Sequence, residues 1–147
     1  MDVLQRLSWV IIHFFNQILC CFNPERTLTV EAQKEVSMSA LASKACVPCQ
    51  GGVPPLTGGE IRSLQRQLGG AWKVVDDHHL EKEFKFSDFK TALQFTNKIG
   101  NLAEAEGHHP DIALSWGKVG ITLWTHTING LCESDFILAA KIDKLAS

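Results

Sequence analysis

The sequence carries no block of like charge. Its 147 residues sum to a formal net charge of −2, with acidic and basic side chains interspersed. That excludes the broad basic surface on which direct nucleic-acid binding depends, and a neutral or weakly charged small substrate suits such a surface better. A paired cysteine framework is missing as well. Cys20, Cys21, Cys46, Cys49 and Cys132 make an odd number and lie mostly outside the part that reads as folded. A disulfide scaffold is therefore not expected, and a reducing compartment is the simpler reading. Cys46-Val47-Pro48-Cys49 has no second C-x-x-C to complete a zinc ribbon. Gly51, Gly52, Pro54 and Pro55 follow it where a thioredoxin-like motif needs a helix. A membrane span is absent too. The apolar run from Trp9 to Phe22 has 14 residues and is interrupted by His13, Asn16 and Gln17, short of the roughly 20 that a crossing helix needs.

That run has the length of a signal-peptide core, but Arg6 is the only basic residue ahead of it and Asp2 cancels it. Glu25, Glu31 and Glu35 speak against an Arg-rich, acid-poor transit peptide. Residues 1–55 read as an N-terminal extension, a weak targeting segment or an amphipathic docking helix, closing in a Ser-, Ala-, Gly- and Pro-rich linker over 40–55. The cytoplasm is the expected compartment. A mitochondrion or other organelle is the alternative if the extension is a targeting segment.

What is present is an ordinary globular balance, 45% apolar and 20% charged, enough for the core of a single domain over 56–147. Thr57-Gly-Gly-Glu60 is a capping box. Ile61, Leu64 and Leu68 follow at helical spacing, and Gly69-Gly70 ends the helix. Residues 71–75 and 80–86 read as two strands joined by a turn at Asp76-Asp77-His78-His79, with Leu80, Lys82, Phe84 and Phe86 on one parity. Ser87 can cap a second helix, with Asp88 near its positive end and a stripe of Phe89, Ala92, Leu93, Thr96, Ile99, Leu102 and Ala103. Gly107 and Pro110 break it. A second hairpin spans 112–116 and 118–126 around Gly117. A third helix spans 134–145 on Leu138, Ile142 and Leu145. The order α-β-β-α-β-β-α predicts an α+β fold, a four-stranded antiparallel sheet with three helices packed on one face.

The densest polar cluster is Glu104-x-x-x-His108-His109-Pro110, where a helix gives way to a strand. Loops on a rigid scaffold present ligand-binding side chains there. Histidine is the natural acid/base group near neutral pH. Pro110 stiffens the turn and biases His109 towards extended backbone. Glu104 could hold one imidazole in a chosen tautomer. Along 118–126, Val119, Ile121 and Leu123 share one face while Thr122, Trp124 and His126 share the other. A regular strand would therefore place His126 off the core, beside an aromatic ring on which a flat heteroaromatic substrate can stack. Three histidines could also hold zinc, but no cysteine or carboxylate stands at short metal-ligand spacing on a helix, so no metal is expected. His78-His79 reads as a solvent-exposed structural pair in a hairpin turn. Trp72, Trp116 and Trp124 read first as packing residues.

From about Leu56 to Leu145 the chain resembles the pterin-4a-carbinolamine dehydratases, known in animals also as dimerisation cofactors of a homeodomain transcription factor. The resemblance lies in Leu56-Thr57, Gly70-Ala71-Trp72, Phe84-Lys85-Phe86 and Phe89 through Phe95. It lies above all in Glu104-Ala-Glu-Gly-His-His-Pro-Asp111 with Trp116 after it, then Ile121-Thr-Leu-Trp-Thr-His126, Gly130-Leu131 and Asp135. It implies dehydration of 4a-hydroxytetrahydropterin to quinonoid dihydropterin and water, with no metal or organic cofactor, in a homodimer or homotetramer. It assigns acid/base work to His108 and His126 and pterin orientation to His109. Glu104 and Asp135 support them, and Trp124 and Pro110 border the substrate. Asp111 stands for the more usual Glu, Ile112 for an aromatic residue of animal members, and Cys132 for a Ser or Thr that would cap the last helix. A non-enzymatic assembly or transcription-partner module on the same fold is the competing expectation. It would bind a macromolecule with all three histidines removed.

Overall fold

Helix starts in this chain are set by short side chains that can bond to backbone. In the computed structural model, which describes Val36, Met38 and residues 40–47, 54–69 and 71–146, helix α1 spans Gly58–Leu68 behind the N-cap Thr57. The Glu60 carboxylate accepts from the backbone N–H and the hydroxyl of Thr57, both at 2.8 Å. These bonds, the backbone one first, hold the Glu60 carboxyl below its ordinary range. Helix α2 spans Phe89–Glu106 and is capped by Asp88, whose carboxylate accepts from the Thr91 N–H at 2.7 Å. The expected cap, Ser87, instead donates its hydroxyl to Asp88 at 3.3 Å. A carboxylate is the stronger acceptor at the positive helix end, so the cap falls one residue later. Helix α3 spans Glu133–Ala146.

Between them lie β1 (Lys73–Val75), β2 (His79–Lys85), β3 (Asp111–Ser115) and β4 (Lys118–Leu123). They form one antiparallel sheet in the order β1-β2-β4-β3. Alternation sorts its faces. Leu80, Phe84, Val119, Ile121 and Leu123 are buried against Phe95 and Ile99 of α2 and Phe136, Leu138 and Ile142 of α3. Lys73, Glu81, Glu83, Lys85 and Lys118 stay exposed on the other face. Lys82 has core-facing parity, and its ammonium donates to the buried Asp143 at 2.6 Å. Asp143 also accepts from the Trp72 indole at 3.1 Å, so the inward charge is neutralised and the first hairpin is tied to α3. The expected fold is the observed one.

Four local expectations are corrected. First, β4 stops at Leu123 and does not reach His126. The Thr125 N–H bonds to the Gly130 carbonyl at 2.9 Å, Asn129 adopts a left-handed φ of 50°, and His126–Ile128 forms a 3-10 turn. Second, Trp116, expected to pack, is 75% exposed at the β3–β4 turn. Third, Leu41 and Ala42, inside the segment whose composition suggests a linker, belong to the core. Fourth, Cys132 is disulfide-bonded, where a disulfide scaffold was not expected. The run from Trp9 to Phe22, the Cys49 half of the C-x-x-C and Gly70 lie outside the described residues.

Candidate active site

Gly107 closes α2 at φ 64°, a left-handed conformation that a side chain disfavours. The chain reverses at once, with the His108 N–H bonding to the Ala103 carbonyl at 3.2 Å. This turn delivers the His108 ring to the start of α3. There its Nε2 lies 2.7 Å from Oδ1 of Asp135, which is fully buried. Asp135 is the third residue of α3 and reaches back. Its Oδ2 accepts from the Cys132 N–H at 2.8 Å and from the Thr125 hydroxyl at 3.0 Å. That is the acid half of a capping box turned to a second use. An ionised carboxylate only accepts, so in this hydrogen bond the proton sits on Nε2 of His108. His109 repeats the pattern at the surface, its Nε2 lying 3.0 Å from Oε1 of Glu104. Both of those side chains are exposed, so the pair orients the ring more than it stabilises the fold.

Thr125 is buried while its neighbours Trp124 and His126 are not, so the expected parity persists past the end of β4. The Trp124 and His126 rings lie 3.9 Å apart at 47°. The Trp124 indole donates to Asp111 at 3.3 Å. His108, His109, Trp124, Thr125, His126 and Thr127 line a pocket of about 270 Å³. A larger hollow of about 590 Å³ lies on the open face of the sheet between Lys73, Glu81, Lys85 and Thr122. No histidine lines it.

The structure thus brings His108, His109, His126 and Trp124 together. Glu104 and Asp135 stand behind the two adjacent histidines, each bonded to one of them. Pro110 lies between His109 and β3 and does not line the pocket. The expectation of a solvent-exposed His78-His79 pair is corrected, since both residues are partly buried. The His78 ring packs on Trp124 with centroids 4.8 Å apart. Sequence reasoning missed Thr125, which bonds to Asp135, and the role of Asp111 in holding the indole. Thr125 is flanked by Trp124 and His126, and its buried parity was the available signal. Among the described residues no three His, Cys, Asp or Glu side chains converge as a metal site.

Comparison with known proteins agrees with this fold. The family model for pterin 4 alpha carbinolamine dehydratase matches residues 54–145. A provisionally named pterin-4-alpha-carbinolamine dehydratase of Alkaliphilus metalliredigens is 62% identical over 110 residues, 75% of this chain and 99% of that protein. One from Rubrobacter xylanophilus is 58% identical over 108 residues, 74% of this chain and all of that protein. The crystal structure of a transcriptional coactivator/pterin dehydratase from Brucella melitensis superposes with a TM-score of 0.59 at 36% identity, covering 63% of this chain and 99% of that one. The 110-residue match begins no later than Met38, so the similarity to the first relative includes Leu41 and Ala42.

Proposed function

Because the chain belongs to the pterin-4a-carbinolamine dehydratase family, we propose that it removes water from 4a-hydroxytetrahydropterin to give quinonoid dihydropterin, a step in recycling tetrahydrobiopterin. The observation that carries this reading is the His108–Asp135 pair opening onto the same pocket as His126 and Trp124. In the reaction the C4a–O bond breaks, the hydroxyl leaves as water with one added proton, and the adjacent ring N–H gives up its proton as the C=N bond forms. One group must give a proton and another must take one.

His108 and His126 fill those two roles. The buried Asp135 carboxylate fixes the orientation of the His108 ring, and an imidazole is the side chain suited to giving or taking a proton near neutral pH. His126, packed at a tilt against Trp124, reaches the same pocket from a different chain segment. Trp124 offers the apolar face on which a pterin ring stacks. His109, held by Glu104, orients the ring, and Pro110 keeps that turn in place.

The test is a dehydration assay on the purified full chain against the uncatalysed background. Acceleration is expected, with His108→Ala and His126→Ala each losing about 10²–10⁴-fold in kcat, the usual span for general acid/base groups. A wild-type chain that gives no acceleration would sink the enzyme reading.

A further inference from the structure

The hairpin turn between β1 and β2 carries two histidines that neither the family resemblance nor the chemistry above uses. Its backbone is built for a purpose. Asp76 and Asp77 both adopt φ 52°, a left-handed conformation tolerated by Asp, and the His78 N–H closes the turn on the Val75 carbonyl at 2.9 Å. The turn sends the half-buried His78 ring onto Trp124. Trp124 therefore meets two imidazoles, His78 at 4.8 Å and His126 at 3.9 Å.

The His78 ring is held by its nitrogens as well. Its Nε2 faces the Asn129 side-chain oxygen at 3.4 Å, and its Nδ1 faces Nδ1 of His79 at 3.1 Å. His79 in turn faces Glu81 through Nε2 at 3.2 Å. Glu81 sits on β2, so this chain of contacts anchors the ring to the sheet. Asn129 ends the 3-10 turn that begins at His126. His78 thus touches the site twice, once through the ring that His126 packs on and once through the loop that carries His126.

We propose that His78 is a positioning residue of the pterin site, fixing the Trp124 ring and the 126–129 turn and thereby setting where the His126 imidazole stands. The proposal builds on the pterin dehydratase reading for its kinetic consequence, but the placement of His126 can be observed without it. The tilted packing of the His78 ring restrains the indole, and the Asn129 contact fixes the end of the turn. Loss of both frees two groups that must meet one substrate. Displacing a catalytic group by about 1 Å can cost about a hundredfold in rate.

The experiment compares wild type with His78→Ala, His78→Gln and His78→Phe in the full chain. His78→Phe keeps a flat ring against Trp124, whereas His78→Gln keeps a polar end for Asn129 without the ring. The His126 ring-proton resonances in the NMR spectrum are read first. They are expected to move in His78→Ala and to return towards wild type in His78→Phe. Steady-state kinetics are read second. His78→Ala is expected to lower kcat about tenfold, less than loss of a catalytic group, with KM changed by less than about twofold. His78→Phe should recover more of kcat than His78→Gln. Unmoved His126 resonances together with wild-type kcat in His78→Ala would overturn the proposal. Should His78→Ala fail to fold, a folded His78→Gln with wild-type resonances and kcat would overturn it equally. Moved resonances in a chain whose wild type shows no dehydratase activity would uphold the placement of His126 and reject the pterin reading instead.

Discussion

Asp135 shows how one side chain serves the fold and the chemistry at once. Its Oδ2 takes two donors, the Cys132 N–H and the Thr125 hydroxyl, and its Oδ1 takes the third from His108. Three donors converge on one buried group, and only a carboxylate can accept them all. Asp135→Asn keeps the shape but must turn an NH₂ towards at least one of these donors. A buried donor facing a donor costs about 1–3 kcal/mol. A lower melting temperature is therefore expected. A fall in kcat larger than any change in KM is expected too, because the His108 ring loses the acceptor that orients it. A variant with wild-type melting and kcat would show that the carboxylate has neither function. The Asp was legible in the sequence only as part of a family pattern. Its three partners come from two separate segments, and no local spacing reveals that convergence. The contact of His78 with Trp124 is hidden for the same reason, since it spans the two hairpins.

Elements were more legible than contacts, because the chain states its two periods cleanly. The core-facing parity of β2 and β4 holds at every position, including Lys82, whose inward charge finds Asp143. Ends were less legible. Ser87 and Asp88 are both capping residues, and the 3-10 turn after β4 has only Gly130 to announce it. The C-terminal end of α2 yields a further expectation. Glu106 is its last residue, a poor place for an anion because the helix end is already partly negative. Lys141 of α3 compensates by donating to it, and the Cys46 N–H adds a second bond at 3.1 Å. The Lys141 bond first, and the Cys46 bond second, hold the Glu106 carboxyl below its usual value of 4.5. Burial first and the neighbouring Glu106 second push the Cys46 thiol up to about 12. A carboxyl with a depressed folded pKa contributes stability that is full above its unfolded pKa and lost as pH falls through the folded one. Glu106→Gln should therefore unfold at lower urea than wild type at pH 7, and the gap should shrink as pH falls below 4.5. Urea midpoints across pH 7 to 3 check this. A gap that stays constant over the whole range would mean that the ionised carboxylate contributes nothing.

Across the whole molecule, the α+β order could be read from the sequence but the start of the folded unit could not. The segment before Leu56 is rich in small residues, and Leu41-Ala42 is too short an apolar pair to show a period. Yet both side chains are buried in the core, and residues 44–47 run along the ends of α2 and α3. Lys44 pairs with Glu133 at 2.6 Å. The Val47 backbone exchanges two bonds with the Ser134 hydroxyl at 3.0 and 2.7 Å. Ser134 precedes Asp135, so this strap braces the helix start that holds His108. Downstream, the Leu56 N–H bonds to the Leu131 carbonyl at 2.9 Å, and Gly130 has no room for a side chain, because a Cβ there would meet Pro55 at 2.7 Å. The approach to Leu56 is therefore packed against the loop that carries His126. Outward-facing features, the singly paired edges β1 and β3 and the exposed Trp116, Phe89 and Leu93, are where a homo-oligomer would find its contacts. The strap gives a direct comparison between a chain beginning at Gln33 and one beginning at Leu56. Burying one leucine side chain is worth about 1.5–3 kcal/mol, so the shorter chain should lose at least that much stability in urea and should also lose kcat through a loosened Asp135. Equal urea midpoints and equal kcat for the two shortened chains would show that residues 40–55 are the linker their composition suggests.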